Sequence, residues 1–153
     1  MVAAIIAQTL IMEGVVTPAE LGIITPFRAQ IAEIKRYLPH ELQENEDLII
    51  DTVERYQGDE RKVIIFSTTV ASAVQVRNMQ NISLSDPLRT DRKLLVSISR
   101  AEEQLIVLGN SSALQAADGY RDMISYMKNH NGYLSREWAE GVINSNFSKI
   151  IND

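Results

Sequence analysis

Three polar segments of the chain carry the side chains that could take part in binding or catalysis: residues 25–30, 51–60 and 92–101. They combine hydroxyl, amide, guanidinium and carboxylate groups. Taken singly, each segment also has a structural explanation. Thr25 and Pro26 can begin a helix, Gly58 can supply a positive φ in a surface turn, and Arg100 can complement a helix dipole. Other kinds of site have little support, because the chain has no cysteine and its two histidines lie far apart in sequence.

Short apolar runs alternating with helical patterns would position these segments. Four such runs predict strands buried on both faces of a parallel sheet: residues 21–25, 48–50, 62–68 and 105–108. Apolar residues at helical spacing predict helices at residues 2–13, 27–38, 120–129 and 135–145, with a further helical region after Asp86 and Pro87. Residues 41–47 are predicted to be a solvated connector and residues 71–86 an irregular excursion. The alternation predicts an α/β domain, in which ligands bind at the carboxyl ends of the strands.

Length and composition indicate one ordinary domain, or a domain with a short appendage. The 153 residues are 45% hydrophobic and 23% charged, which allows a core and argues against disorder throughout. Lysine and arginine total 15 against 20 aspartate and glutamate, a formal net charge of −5. This balance argues against a free-standing basic nucleic-acid binder but leaves room for a local basic groove. The apolar amino-terminal segment lacks a basic flank and is too short to span a bilayer, so we expect an intracellular, cytoplasmic protein.

The three polar segments, taken together and in this order, closely resemble three motifs of superfamily 1 helicases, most nearly those of the Upf-type and Dna-type branch. The motifs are Thr-Pro-Phe-Arg-Ala-Gln, then Asp-Thr-Val-Glu-Arg-Tyr-Gln-Gly-Asp-Glu before an apolar strand, then Ser-Arg-Ala before Leu-Ile-Val-Leu-Gly-Asn. The resemblance covers about residues 21–110 and implies the second, C-terminal, of two RecA-like motor domains. It implies a three-layer RecA-like fold with a mainly parallel sheet over residues 1–116. A helical extension, residues 117–153, would pack on that fold.

The resemblance also implies a set of residues that contact ATP. Arg100 would be an arginine finger reaching the γ-phosphate, because a fixed guanidinium presents a bidentate charge to oxygens that gain charge during phosphoryl transfer. Glu60 would hydrogen-bond the nucleotide ribose, and Gly58 would let the backbone approach the nucleotide. Gln57 would help couple the nucleotide site to the nucleic-acid surface.

A second set implied by the resemblance contacts the nucleic-acid backbone: Thr25, Pro26, Arg28 and Thr52. Small hydroxyls and backbone amides suit phosphate contacts that do not depend on base sequence. Arg55 is a weaker candidate for the same surface. For the two arginines, an exposed position without any such contact is an equal alternative.

The sequence lacks the parts that a complete motor ATPase needs. It contains no Gly-rich loop of the G-x-x-x-x-G-K-[ST] type and no apolar strand followed by an Asp-Glu pair for Mg²⁺. We therefore expect ATP and Mg²⁺ to be bound mainly by a separate N-terminal RecA-like domain. The chain would be an N-terminally truncated part of the helicase, with no metal site and no ATPase activity alone. Its partners would be that domain and single-stranded DNA or RNA, with no membrane. The alternative is a non-catalytic interaction module that retains the fold.

Overall fold

A four-stranded, entirely parallel sheet forms the centre of the protein in a computed structural model that describes residues 1–56, 58–83 and 85–151. The strands are β1 (Leu21–Thr25), β2 (Ile49–Thr52), β3 (Arg61–Ser67) and β4 (Ala101–Leu108). Their order across the sheet is β2-β1-β3-β4, so β2 and β4 are the outer strands of the described sheet. The predicted strands and their parallel arrangement are confirmed.

Helices cover both faces of this sheet. In the described residues they are α1 (Val2–Met12), α2 (Arg28–Arg36), α3 (His40–Gln43), α4 (Ala73–Met79), α5 (Arg92–Ile98), α6 (Ser111–Leu114), α7 (Asp118–Asn129) and α8 (Arg136–Ile151). A 3₁₀ turn, Pro18–Glu20, precedes β1. Adjacent residues of one strand show that both faces of the sheet are covered. Ile23 and Ile24 are both fully buried, yet they belong to different core clusters on opposite faces. The α/β three-layer fold is therefore confirmed.

Each face of the sheet has its own apolar core. On one face, Ile34 of α2 and small residues of α1 pack against Leu21, Ile23 and Ile65. On the other face, the core combines Phe66 of β3 with residues of α4, α5, α6 and α7. The predicted C-terminal extension contributes Tyr120 and Ile124 of α7 to that second core. The domain boundary at residue 116 stays a prediction.

The sequence prediction missed one helix and misplaced the start of another. The supposed irregular segment contains α4, which the sequence conceals because only Val76 and Met79 face the core while the residues between them are polar. The helix before β4 begins after Asp91, not after Asp86 and Pro87. The Asp91 carboxylate caps it by accepting from the backbone N–H groups of Lys93 (3.1 Å) and Leu94 (3.4 Å). The single-turn helices α3 and α6 were also not predicted.

The outer strand β4 is irregular near its amino end. Its pairing with β3 shifts register between Arg61 and Val63, which marks a β-bulge or an equivalent irregularity. Glu102, Glu103 and Gln104 are exposed there. The later residues of the strand are partly buried, so β4 joins the core mainly through its carboxyl half.

Between β2 and β3 the described residues, 53–56 and 58–60, contain no helix. Because β1 lies between these two strands, residues 53–60 must pass over it. Tyr56, which is 1% exposed, lies over Gly22 of β1. A Cβ atom at Gly22 would stand 1.8 Å from the Tyr56 hydroxyl oxygen. The tyrosine ring thus fills part of the layer that a crossover helix usually provides.

Replacing Tyr56 by phenylalanine is expected to raise the free energy of unfolding by about 1 kcal/mol, because the buried Tyr56 hydroxyl has no hydrogen-bond partner among the described residues. Urea unfolding followed by circular dichroism measures the change. A destabilised variant would contradict the prediction, since it would mean that the hydroxyl makes a favourable contact.

Tyr56→Phe is also expected to change how the free energy of unfolding depends on pH above about 10. Burial raises the pKa of Tyr56 from 10.0 to about 12, and burial also raises the pKa of Tyr120. An unfolded tyrosine ionises near pH 10, whereas these two stay protonated when folded, so stability is lost as pH rises from about 10 towards 12. Tyr56→Phe removes one of these two contributions. Its unfolding free energy should therefore fall less steeply over this range than that of the parent.

Candidate functional site

The predicted site residues lie at two opposite edges of the parallel sheet. Thr25 and Thr52 end β1 and β2, so they lie at the carboxyl edge. Glu60 and Arg100 come directly before β3 and β4, so they lie at the amino edge. The second pair therefore does not lie at the carboxyl ends of the strands, where the sequence predicted ligand binding. These residues precede their strands instead of following them.

At the amino edge, the backbone brings Glu60 and Arg100 together. The backbone N–H of Arg61 donates to the carbonyl oxygen of Arg100 over 3.0 Å. Arg61 is also the register partner of Ala101. Glu60 directly precedes Arg61, and Arg100 directly precedes Ala101. The two predicted nucleotide contacts are therefore neighbours across the sheet. Gly58, nearby in the chain, has a φ of +88°, a conformation that favours glycine. Gln57 lies outside the described residues.

The Arg100 side chain is half-buried and held by its own neighbours. Its Nε donates to the carbonyl oxygen of Val96 (3.3 Å), and its Nη2 donates to Ser99 Oγ (3.1 Å). No ion pair to Arg100 occurs within the part of the chain that the structure describes. A guanidinium that is oriented but not neutralised by a carboxylate can offer its charge to an anionic ligand.

The acidic residue beside Glu60 is balanced by a neighbouring cation. Asp59 stands where the helicase motif commonly has a basic or neutral residue. An aspartate at this position would by itself make the amino edge more negative. In the structure, Nη1 of Arg61 contacts Asp59 Oδ1 at 3.2 Å and donates to the carbonyl oxygen of Glu60 at 2.9 Å. This ion pair offsets the extra negative charge of Asp59 and leaves the exposed Glu60 carboxylate free of an ion pair among the described residues.

At the carboxyl edge, Thr25 and Thr52 are direct partners in the register between β1 and β2. Thr25 is fully buried; its hydroxyl donates to Gln30 Oε1, and the N–H of Phe27 donates to Thr25 Oγ1 over 3.3 Å. Thr52 is 5% exposed. A phosphate contact from the Thr25 hydroxyl would therefore require it to part from Gln30. Its role as a nucleic-acid contact stays a prediction.

The arginines near this edge differ in their surroundings. Arg28, which begins α2 directly after Pro26 and Phe27, is exposed and makes no ion pair within the described ranges. Arg55 lies 3.8 Å from the Asp51 carboxylate and is mostly exposed. The weaker candidate is thus also the one whose charge is already partnered. Pro26 is half-buried in the turn between β1 and α2.

An ion pair holds the first part of the crossing segment to α5. Lys93 Nζ lies 2.5 Å from Glu54 Oε1. Partial burial alone would raise the pKa of Glu54, but the hydrogen bond and charge of Lys93, helped by a hydrogen bond from Thr52, lower it overall. Glu54 therefore stays ionised and links the helix before Arg100 to the segment that follows Thr52.

Gln30 is a site residue to which the sequence assigned no role. Its Oε1 accepts from the hydroxyls of Thr25 and Thr69, the latter at 2.5 Å, and its Nε2 donates to Ser67 Oγ at 2.7 Å. Ser67 and Thr69 follow Gln30 by 37 and 39 residues. Only the neighbouring positions of β1 and β3 bring these groups together. Its place in the Thr-Pro-Phe-Arg-Ala-Gln motif was the sole sequence signal.

Two cavities lie near the carboxyl ends of the strands. One of about 660 Å³ lies between the end of β4 and helices α7 and α8, and none of the predicted site residues lines it. A second, of about 370 Å³, is lined by Gln30, Ser67 and Thr69, together with Glu33 and other residues. The smaller cavity is therefore the one that adjoins the polar groups of the carboxyl edge.

Comparison with known proteins identifies the family. The AAA_12 family model, described as an AAA domain, matches residues 1–112. The chain belongs to this family. This AAA domain is also similar to curated helicases: "Putative helicase mov-10-B.2" of Danio rerio (31% identity over 76% of the chain), "Probable RNA helicase armi" of Drosophila melanogaster (30% over 84%) and "DNA polymerase alpha-associated DNA helicase A" of Saccharomyces cerevisiae (32% over 78%). These relatives are superfamily 1 helicases, so the resemblance seen in the motifs is confirmed.

The chain spans only 12%, 11% and 15% of the lengths of these three relatives. Superfamily 1 helicases use ATP and Mg²⁺ in general. Among the described residues, no group of three or more histidine, aspartate or glutamate side chains could hold a metal ion. No helix in the described part of the chain is long and apolar enough to cross a membrane.

Proposed function

We propose that the chain is the C-terminal motor domain of an ATP-dependent superfamily 1 helicase, contributing part of an ATP site and part of a nucleic-acid grip. The observation that carries this proposal is that Glu60 and Arg100 precede neighbouring strands at one edge of the sheet, while Thr25 and Thr52 are register partners at the other. One rigid sheet could then contact a nucleotide and a nucleic-acid strand at the same time.

At the amino edge, Arg100 would contact the γ-phosphate of ATP bound mainly by the N-terminal RecA-like domain. Its guanidinium would stabilise the charge that develops on the transferring phosphoryl group. Glu60 would accept hydrogen bonds from the ribose hydroxyls, and the backbone at Gly58 would lie close to the nucleotide. Gln57 would link this site to the nucleic-acid edge. Mg²⁺, which partly neutralises the phosphates when bound, would be held by the other domain, so this chain alone would not hydrolyse ATP.

At the carboxyl edge, Thr25, Pro26, Arg28 and Thr52 would face the sugar–phosphate backbone of single-stranded DNA or RNA. Arg28 is exposed and has no ion pair among the described residues, which supports a charged contact, and the two threonine positions support contacts that ignore base identity. Closure of the two motor domains on ATP and their opening after hydrolysis would move this grip along the strand.

Replacing Glu60 by alanine in the full-length protein is expected to raise KM for ATP about tenfold with kcat little changed, because a hydrogen bond to a charged group is worth about 1.5–3 kcal/mol. The parent should also prefer ATP to 2′-deoxyATP, and the variant should lose most of that preference. Steady-state ATPase assays with a saturating single-stranded oligonucleotide measure both effects. Glu46→Ala, at an exposed carboxylate in the connector before β2, is the matched control.

Two outcomes of these assays would count against different statements. If Glu60→Ala keeps the parental KM and the preference for ATP, the ribose contact is wrong. If the full-length parent shows no ATP hydrolysis that single-stranded nucleic acid stimulates, the motor function itself is wrong. The non-catalytic interaction module would then be the better explanation of the fold.

A further inference from the structure

We propose that Gln30 and Ser67 form a two-donor contact for a backbone phosphate of the nucleic-acid strand, with Thr25 and Thr69 acting as positioning residues. This inference rests on the proposed function and adds a binding pair to its carboxyl edge. It also changes the part played by Thr25, from a direct phosphate contact to a group that orients the contact.

The structure orients the Gln30 amide with its carbonyl end towards two threonine hydroxyls and its NH₂ end towards Ser67. A hydroxyl can donate only one hydrogen, and the hydroxyls of Thr25 and Thr69 both donate theirs to Gln30 Oε1. The NH₂ end faces Ser67, to which Nε2 donates over 2.7 Å.

This arrangement leaves two donor hydrogens unused. Ser67 Oγ accepts from Gln30, so its own hydrogen is available, and only one of the two Nε2 hydrogens of Gln30 is engaged. Neither hydrogen has another partner within the described part of the chain. Two adjacent donors without acceptors suit an anionic oxygen, and both residues line the cavity of about 370 Å³.

The backbone at Thr69 provides independent support. Thr69 has a φ of +44°, a left-handed conformation that is unusual for a β-branched residue and costs of order 1–3 kcal/mol. The strained backbone is retained at the residue whose hydroxyl bonds Gln30. Strain of this kind concentrates at binding sites, where surrounding structure holds it in place.

The charge on the cavity wall is compatible with an anion. Glu33 also lines the cavity, but its carboxylate accepts from Arg36 Nη2 at 2.8 Å, so its charge is locally compensated. Arg28, two residues before Gln30 on the same helix, carries an unpaired positive charge within the described residues. Arg28 does not line the cavity, so the pair itself would supply the phosphate contact and Arg28 a separate charge on the same helix.

Two variants of the full-length protein test the pair: Ser67→Ala, which removes one donor, and Gln30→Glu, which keeps the shape of the side chain. The carboxylate of Gln30→Glu has no N–H, and it would also take up the Ser67 hydroxyl hydrogen, so both donors are lost. At pH 7.5 we expect the dissociation constant for a single-stranded oligonucleotide to rise roughly three- to tenfold in Ser67→Ala. In Gln30→Glu it should rise more than tenfold, since the new charge also repels phosphate.

Salt and pH dependence separate this role from a merely structural one. Neutral donors release no counterions, so Ser67→Ala should leave the slope of log Kd against log salt unchanged, whereas Arg28→Ala should reduce that slope by about one. Lowering the pH protonates the new carboxyl of Gln30→Glu, which can then donate to Ser67 Oγ and free the serine hydrogen. Its affinity should recover towards that of the parent as pH falls, while Gln104→Glu, an exposed control on β4, should bind like the parent throughout.

Other results of these binding measurements would contradict either the two-donor contact or the proposed function. If the parent binds the oligonucleotide and both variants bind within twofold of it, the two-donor contact is wrong. It is also wrong if only Gln30→Glu weakens binding, because charge alone would then explain the effect. A site for free phosphate would give a different result. Added phosphate would compete with the oligonucleotide at matched ionic strength, and Ser67→Ala would remove this competition without changing the affinity for the oligonucleotide. That result would also overturn the proposal. A parent that binds no single strand would instead reject the proposed function.

Discussion

Replacing Arg100 by alanine in the full-length protein is expected to lower kcat for nucleic-acid-stimulated ATP hydrolysis by roughly 10³-fold or more, with a much smaller change in KM for ATP. The reason is that a guanidinium at the γ-phosphate acts mainly on charge that develops in the transition state. In the structure the Arg100 carbonyl is fixed by the Arg61 amide at 3.0 Å, and the guanidinium has no ion pair within the described residues. Steady-state and single-turnover ATPase rates measure the effect.

Two further arginine variants serve as controls. Arg100→Lys keeps the charge but loses the planar fork, so most of the rate should be lost as well. Arg136→Ala removes an exposed arginine that pairs with Glu140 on the same helix, and its rate should stay within about twofold of the parent.

A purely structural role for Arg100 would give a different result. Among the described residues its side chain bonds only Val96 and Ser99, both within four residues, so Arg100→Ala should change the free energy of unfolding by no more than about 0.5 kcal/mol. A variant that keeps the parental rate would show that Arg100 is not the arginine finger. A variant that loses activity only in proportion to lost stability would lead to the same conclusion.

Replacing Gly22 by alanine is expected to destabilise the fold by about 3 kcal/mol or more, at or beyond the upper end of the usual cost of overpacking. The added Cβ would stand 1.8 Å from the Tyr56 hydroxyl oxygen and 2.8 Å from Cδ1 of Ile64. Neither neighbour can retreat easily, because both side chains are at least 99% buried and Gly22 lies in the central strand β1. Urea unfolding followed by circular dichroism measures the loss.

The chain offers a matched control and a partial rescue for this substitution. Gly141, in α8, has open space where a Cβ would be added, so Gly141→Ala should be neutral or stabilising by up to about 1 kcal/mol. Combining Gly22→Ala with Tyr56→Phe removes the atom of closest approach but leaves the ring carbon Cζ, also at 2.8 Å. The double variant should therefore recover part of the lost stability. If Gly22→Ala is neutral, the crossing segment does not pack on β1 as described.

The sequence was informative wherever burial alone decides the structure. The residues of β1 are buried on both faces, and such strands appear in a sequence as continuous apolar runs. The path of the chain between the strands was harder to predict from the sequence. The short crossing in which Tyr56 packs over β1 leaves no periodic signal long enough to recognise. The same is true of the two-turn helix with Val76 and Met79 as its core residues.

For the candidate site, too, one part could be predicted from the sequence and another part could not. Its residues were found because the motifs resemble a known family, and their roles stay predictions. The separation of Glu60 and Arg100 from Thr25 and Thr52 depends on whether each residue precedes or follows its strand, which becomes clear only when the strand bounds are known. The link from Gln30 to Ser67 depends on strand order, since 37 residues separate them and no local pattern joins them.

The irregular, acidic start of β4 has a consequence for self-association. An outer strand of a sheet presents unpaired backbone groups on which another chain can add a strand, and this is a frequent route to aggregation. Here Glu102 and Glu103 are exposed where the pairing of β4 with β3 shifts register. Two copies meeting through this part of β4 would bring like charges together along a distorted backbone, which disfavours edge-to-edge pairing. The same short stretch that follows Arg100 in the chain therefore also helps to keep separate molecules apart.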